Sequence, residues 1–169
     1  MNSEQEVLNS ATHGREGNGV PVTIIIEVEQ CGVPVEKIEL EFEAQPEHRE
    51  VAEKLAAVLA LDAEELLAEL AAAHHGGRHE HRHHRLQLTC IDLHFESEAA
   101  KHRFLARSTW ARVHRWGCRK FHIAADIAAN LELRDGAPDG PALNEAKPIG
   151  HREGCQVVWL VKPGPESNG

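Results

Sequence analysis

The chain has 169 residues and a formal net charge of −9. At roughly 150 residues per domain, that length allows one ordinary domain or two small ones. No apolar run approaches the ~20 residues needed to cross a bilayer. The four cysteines show no C-x-x-C spacing, which argues against a zinc ribbon and a disulfide scaffold.

Those cysteines (Cys31, Cys90, Cys118 and Cys155) are expected to be free thiols in a reducing compartment. The opening MNSEQEVLNS lacks both the basic region and the apolar core of a secretory signal, so a cytoplasmic protein is expected. The charge is uneven. Residues 1–80 hold 5 Lys and Arg against 17 Asp and Glu, whereas residues 81–169 hold 13 against 10. Opposite signs predict two modules that face each other or meet different partners.

Residues 1–19 are polar, rich in Gly, Asn and Ser, and read as a disordered tail. Val22 to Glu29 alternates as a strand, with Val22, Ile24, Ile26 and Val28 on one face. Gln30 to Pro34 supplies a turn. Lys37 to Glu43 alternates again, with Ile38, Leu40 and Phe42 inward, which completes an antiparallel hairpin. The period then changes. Val51, Leu55, Val58 and Leu59 form a helical stripe entered at Pro46. Asp62 and Glu65 predict a capping box on a second helix through Leu66, Leu67 and Leu70.

AAAHHGGRHEHRHHR follows, broken by Gly76-Gly77 and without an apolar residue until Leu86; it reads as a linker. Leu86 to Phe95 and Lys101 to Arg107 are strand candidates around a broad turn. Ser108 or Thr109 can cap a helix. Trp110, Val113, Gly117 and Phe121 mark its apolar face, and Gly117 either brings the helix close to the sheet or ends it early. Asn130 to Arg134 is a short strand, Leu143 to Ile149 a segment anchored at both ends, and Gln156 to Val161 the most apolar strand. Lys162 to Gly169 has no packing residue.

A hairpin, a helix, a short strand, an anchored segment and a final apolar strand is the element order of the β-grasp fold. Residues 86–169 resemble a ubiquitin-like domain in this way: a Ser108-Thr109 cap after KHRFLAR, then NLELRDG, Leu143 and Ile149, then VVWLV before a tail ending in Gly169. Residues 20–70 resemble its opening half. The pairing of two such units is similar to the tandem ubiquitin-like modifiers of bacterial antiphage conjugation operons, and to the two-domain interferon-induced modifier. The tail departs from the family pattern, ending Asn168-Gly169 with no double glycine and no preceding arginine.

The resemblance implies an α+β chain of two β-grasp modules, the first atypical, truncated or borrowing a strand. The expected layout is a tail at 1–19, a first module at 20–73, a His-rich linker at 74–85, a second module at 86–162 and a conjugation tail at 163–169. It implies a protein modifier and not an enzyme. Gly169, preceded by Asn168, or Gly164 after trimming, would be joined to target lysines. The implied partners are an activating enzyme, which uses the ATP, a conjugating enzyme and a deconjugating protease. This chain itself is expected to bind no cofactor and no membrane. Glycine suits such a tail because it lets other groups approach the backbone closely.

Three further groups can carry chemistry. His79, His81, His83 and His84 can ligate Zn, Ni or Cu, although no fixed four-ligand set is visible and a solvated linker is the plainer reading. Arg112, Arg115 and Arg119 share one helix face and flank Trp116. An exposed Trp among arginines would suit a protein partner, while the acidic chain argues against strong nucleic-acid binding. Cys118 has His114 and His122 four residues away, but no third orienting group, and so does not read as a nucleophile. Besides the modifier, the open readings are a non-conjugated β-grasp adaptor and a His-rich metal-binding protein.

Overall fold

The computed structural model describes residues 19–72 and 83–164. Strands β1 (Val22–Gln30) and β2 (Val33–Phe42) form the expected hairpin. Helix α1 (His48–Leu59) buries Val51, Leu55 and Leu59 on it, while Val58 of the expected stripe is exposed. The α1 entry is closed by Glu47, whose N–H donates to Glu50 Oε2 at 2.8 Å. Helix α2 (Ala63–Ala72) starts where Asp62 Oδ1 accepts the N–H groups of Glu64 and Glu65 at 2.9 and 3.0 Å. That satisfies two donors a helix start leaves open. The side chain of Glu65, which a capping box would turn back on Asp62, is instead drawn to Ser108 and Arg112.

Strand β3 (His83–Phe95) begins three residues earlier than the apolar run predicts. It pairs parallel with β1 from Ile25↔His83 to Gln30↔Leu88. Its later part pairs antiparallel with β4 (Glu98–Leu105) and parallel with β6 (Cys155–Val161). Between them come α3 (Trp110–Lys120), a short α4 (Ala125–Ala128) that the sequence reading missed, and β5 (Glu132–Asp135), antiparallel to β6.

Cys90 to His94 have partners on both sides, β4 and β6, and Leu88 pairs with both Gln30 and Leu105. One edge of β3 therefore takes β1 and then β6 end to end, and the other takes β4. The two collinear strands meet where Gly154 N–H donates to the Cys31 carbonyl at 3.3 Å.

The two halves are thus parts of one six-stranded mixed sheet, not modules separated by a linker up to residue 85. The strand the first half borrows is β3. The C-terminal half has strand order β4-β3-β6-β5 with α3 across it, which is the arrangement its element order predicts for a β-grasp unit. The first half places a hairpin, two helices and a parallel strand in the same relation. The chain is an α+β protein whose C-terminal half has the β-grasp strand order.

The buried face changes along β3. Leu86 and Leu88 join the core under α1 and α2; Ile91 and Leu93 join the core under α3. The β3–β4 register runs unbroken through this stretch. Strand side chains alternate between faces, so Leu88 and Ile91 point to opposite sides, and the helices of the two halves cover opposite faces of the sheet. Thr89, fully buried at the crossover, donates to the Gly150 carbonyl at 2.7 Å. Gly117 does bring α3 close to the sheet, since a Cβ there would collide with the Leu93 side chain.

The cysteine expectation fails at one pair. Cys90 and Cys155 are joined as a disulfide, with Cα atoms 4.5 Å apart, because the parallel β3–β6 register sets them directly opposite. Residues 65 apart in sequence gave no such signal. Cys31 and Cys118 are free.

Candidate partner surface at the junction of the halves

Helix α3 divides its polar residues between two tasks. Arg112 turns toward the first half. Its Nε lies 2.7 Å from Glu65 Oε1 and its Nη1 3.6 Å from Asp62 Oδ2. Ser108 Oγ donates to the same Glu65 carboxylate. The Glu65 side chain keeps 14% of its exposure and Arg112 32%, so this contact is shielded enough to matter. Arg107–Glu69 at 3.7 Å and Arg103–Glu36 at 3.5 Å add wetter pairs between the halves. Exposed pairs contribute little, about 0–1 kcal/mol each. The charge asymmetry of the sequence is thereby placed: acidic α2 meets the basic start of α3.

Trp116 is half-buried. It stacks on His102 at 4.9 Å between ring centroids, and Phe104 packs edge-on against it at 5.7 Å. Burial, then Arg103 and Lys120, push the His102 pKa down, so its neutral form is favoured. Ala60, Leu61, Asp62 and Glu65 face this aromatic wall across a cleft of about 230 Å³ that Arg112 and Arg119 also line. Arg115 and Arg119 are exposed and make no ion pair among the described residues. Of the four candidate residues on α3, Arg112 is therefore bound up at the junction, Trp116 and Arg119 line its cleft, and Arg115 faces outward.

The remaining candidates are scattered. Gly164, exposed beyond β6, is the last described residue, and no described atom lies within 4 Å of where its Cβ would sit; Asn168 and Gly169 fall outside the described residues. His79 and His81 also fall outside them. His83 and His84 are consecutive on β3 and point to opposite faces, so they cannot converge on one ion. His83 Nε2 lies 3.3 Å from Glu27 Oε1, and Arg85 Nε 3.1 Å from Glu27 Oε2. Desolvation works against the Glu27 charge, but Arg85 and His83 outweigh it and hold this carboxyl below the usual range. Among the described residues no group of three or more His, Cys, Asp or Glu side chains is arranged to hold a metal.

Glu145 is the orienting group the sequence reading did not find. Its Oε1 lies 2.7 Å from His114 Nδ1, one helical turn before Cys118. Burial, and then Glu145, push the Cys118 thiol up, the reverse of what a thiolate nucleophile needs.

No family model and no curated relative matches the chain. Solved structures of ubiquitin-like domains are among those similar to parts of it. One is the N-terminal ubiquitin-like domain in the 4931431F19Rik protein, at 14% identity and a TM-score of 0.36, covering 48% of this chain and 81% of that one. Another is the C-terminal ubiquitin-like domain of mouse tubulin-specific chaperone e, at 14% identity and a TM-score of 0.34, covering 49% of this chain and 94% of that one.

Proposed function

We propose that the chain is a ubiquitin-like protein modifier, joined to lysines of other proteins through a glycine of its tail. The observation that carries this reading is the exit of β6. This strand lies between β3 and β5 in the C-terminal half and runs directly into exposed Lys162, Pro163 and Gly164. Among the described residues, nothing lies within 4 Å of the position a Gly164 side chain would take. A segment that must thread into an activating enzyme needs such a free, narrow backbone. Gly169, or Gly164 once the residues beyond it are trimmed, is the proposed attachment point. The chain contributes no catalytic group and no cofactor; the activating enzyme spends the ATP, a conjugating enzyme transfers the modifier, and a protease reverses it. The proposed setting is cytoplasmic and bacterial, in the antiphage pathways whose modifiers the layout resembles.

The test is intact mass spectrometry of the protein produced with the genes that flank its own, beside a form lacking residues 163–169. Species equal to this chain plus a second protein, minus one water, and absent without the tail, establish the modifier. Free chain alone, with the flanking enzymes active, overturns it. The half-buried Trp116 in the junction cleft favours one second reading, a non-conjugated adaptor. An adaptor keeps its partner when the tail is removed.

A further inference from the structure

We infer that the cavity between α3 and α4 is a docking site for an acidic, aliphatic-bearing segment of a partner protein. The inference is independent of conjugation through the tail. The cavity holds about 420 Å³, within the range of sites that take ligands. Cys118, Ala125, Ala128 and Ala129 give it an apolar lining, with Arg115 and Arg119 beside them. Next to it on α4, Ile127 is a large apolar side chain left 45% exposed.

The charges select the partner. Among the described residues there are nine arginines, and seven form ion pairs: Arg49, Arg85, Arg103, Arg107, Arg112, Arg134 and Arg152. The two that do not, Arg115 and Arg119, both border this cavity, and Arg119 also lines the junction cleft with Asp62 and Glu65. In a chain with 27 acidic side chains against 18 Lys and Arg, two adjacent uncompensated arginines at an apolar pocket are unusual, and they complement carboxylates.

His114 also lines the cavity, with its Nδ1 held by Glu145. A nucleic acid fits less well: apolar walls offer nothing to a phosphate chain. Carboxylates on the two arginines, with an aliphatic side chain between them against the alanines, use every feature of the site.

The test uses the full chain and a fluorescein-labelled peptide of Leu-Glu-Glu repeats, read by anisotropy at low and physiological salt. The expected result is saturable, salt-weakened binding that falls at least about tenfold in Arg115→Glu/Arg119→Glu. Ala129→Glu, at an exposed wall position, should give a similar loss, and circular dichroism verifies that each variant is folded. Lys101→Glu/Lys162→Glu, with the same charge change elsewhere, should bind as the parent does, and a Leu→Ser peptide should bind weakly.

No binding overturns the inference. So does an equal loss in the lysine control, which would make the attraction a property of net charge, or an undiminished Leu→Ser peptide, which would leave the apolar walls without a role. A parent protein that sediments as a dimer, and an Arg115→Glu/Arg119→Glu form that does not, would give the cavity to a second copy instead.

Discussion

Sharing β3 predicts that the two halves unfold together, and Leu55→Ala tests it. Leu55 is fully buried on α1 beneath the first half's hairpin. Truncating such a leucine removes its transfer free energy and leaves a cavity, at a cost of about 3 kcal/mol. With a urea slope of about 2 kcal/mol/M, the midpoint should fall by about 1.5 M. All three tryptophans, Trp110, Trp116 and Trp159, lie in the C-terminal half. Their fluorescence therefore reports on a part of the molecule that Leu55 does not touch. If β3 couples the halves, the Trp midpoint shifts by the same amount as the far-ultraviolet helix signal, in a single transition. The reasoning is refuted by an unmoved Trp transition above an early loss of α1 and α2. That result would mean that residues 83–88 can leave β1 without disturbing residues 90–94.

Other perturbations follow from particular contacts. Glu65→Ala and Arg112→Ala should each cost about 2 kcal/mol, with a coupling near 1 kcal/mol in a double-mutant cycle by urea denaturation, the shielding being only partial; a coupling near zero would leave the halves joined by the sheet alone. Gly117→Val should cost about 2–3 kcal/mol, because its side chain meets Leu93; calorimetry reads this directly. Cys90→Ala/Cys155→Ala should lose about 4 kcal/mol in the absence of reductant, as expected for a link across 65 residues, and the parent's non-reduced mass should be two hydrogens below the reduced one. His102 has a folded pKa below its unfolded value, so the unfolded chain takes up the proton first. Stability should therefore be fully present above about pH 6.5 and decline as the pH falls below it. His102→Gln should flatten that decline in a pH series of urea midpoints.

Local pattern carried the elements well. Alternation marked both strands of the first hairpin, the 3.6-residue stripe marked α1, and Trp110, Val113 and Gly117 marked the buried face of α3. Pairing between distant segments was not legible, because register is a property of two strands and each was read alone. The Cys90–Cys155 link, Glu145 behind His114 and the partners of Arg112 all belong to that class. The boundary at His83 failed for a different reason. His83 and Arg85 are polar because, at this end of the sheet, no described helix covers their face, and Glu27 pairs with both. A half-exposed strand end of histidine and arginine looks like a linker until its partner strand is known.

The change of face in β3 was, in retrospect, written in the sequence. Leu86 and Leu88 hold one parity, Ile91, Leu93 and Phe95 the other, and a strand with one covered face cannot do both. Read as a single run, LQLTCIDLHF suggests a strand buried throughout. Read by parity, it states that two cores lie on opposite sides and that the chain crosses between them at Thr89 and Cys90. That crossover determines the junction. Because the helices cover opposite faces, α2 and α3 do not stack. They meet around the end of β4, where Glu65 reaches Ser108 and Arg112, and across the cleft that Asp62, Glu65, Trp116 and Arg119 line. Arg115 and Arg119 lie farther along the same helix, with no acidic partner among the described residues, next to the cavity that α4 closes. The unpaired arginines thus follow from where β3 changes sides: of the three arginines on this helix, Arg112 alone comes within ion-pair distance of Asp62 and Glu65.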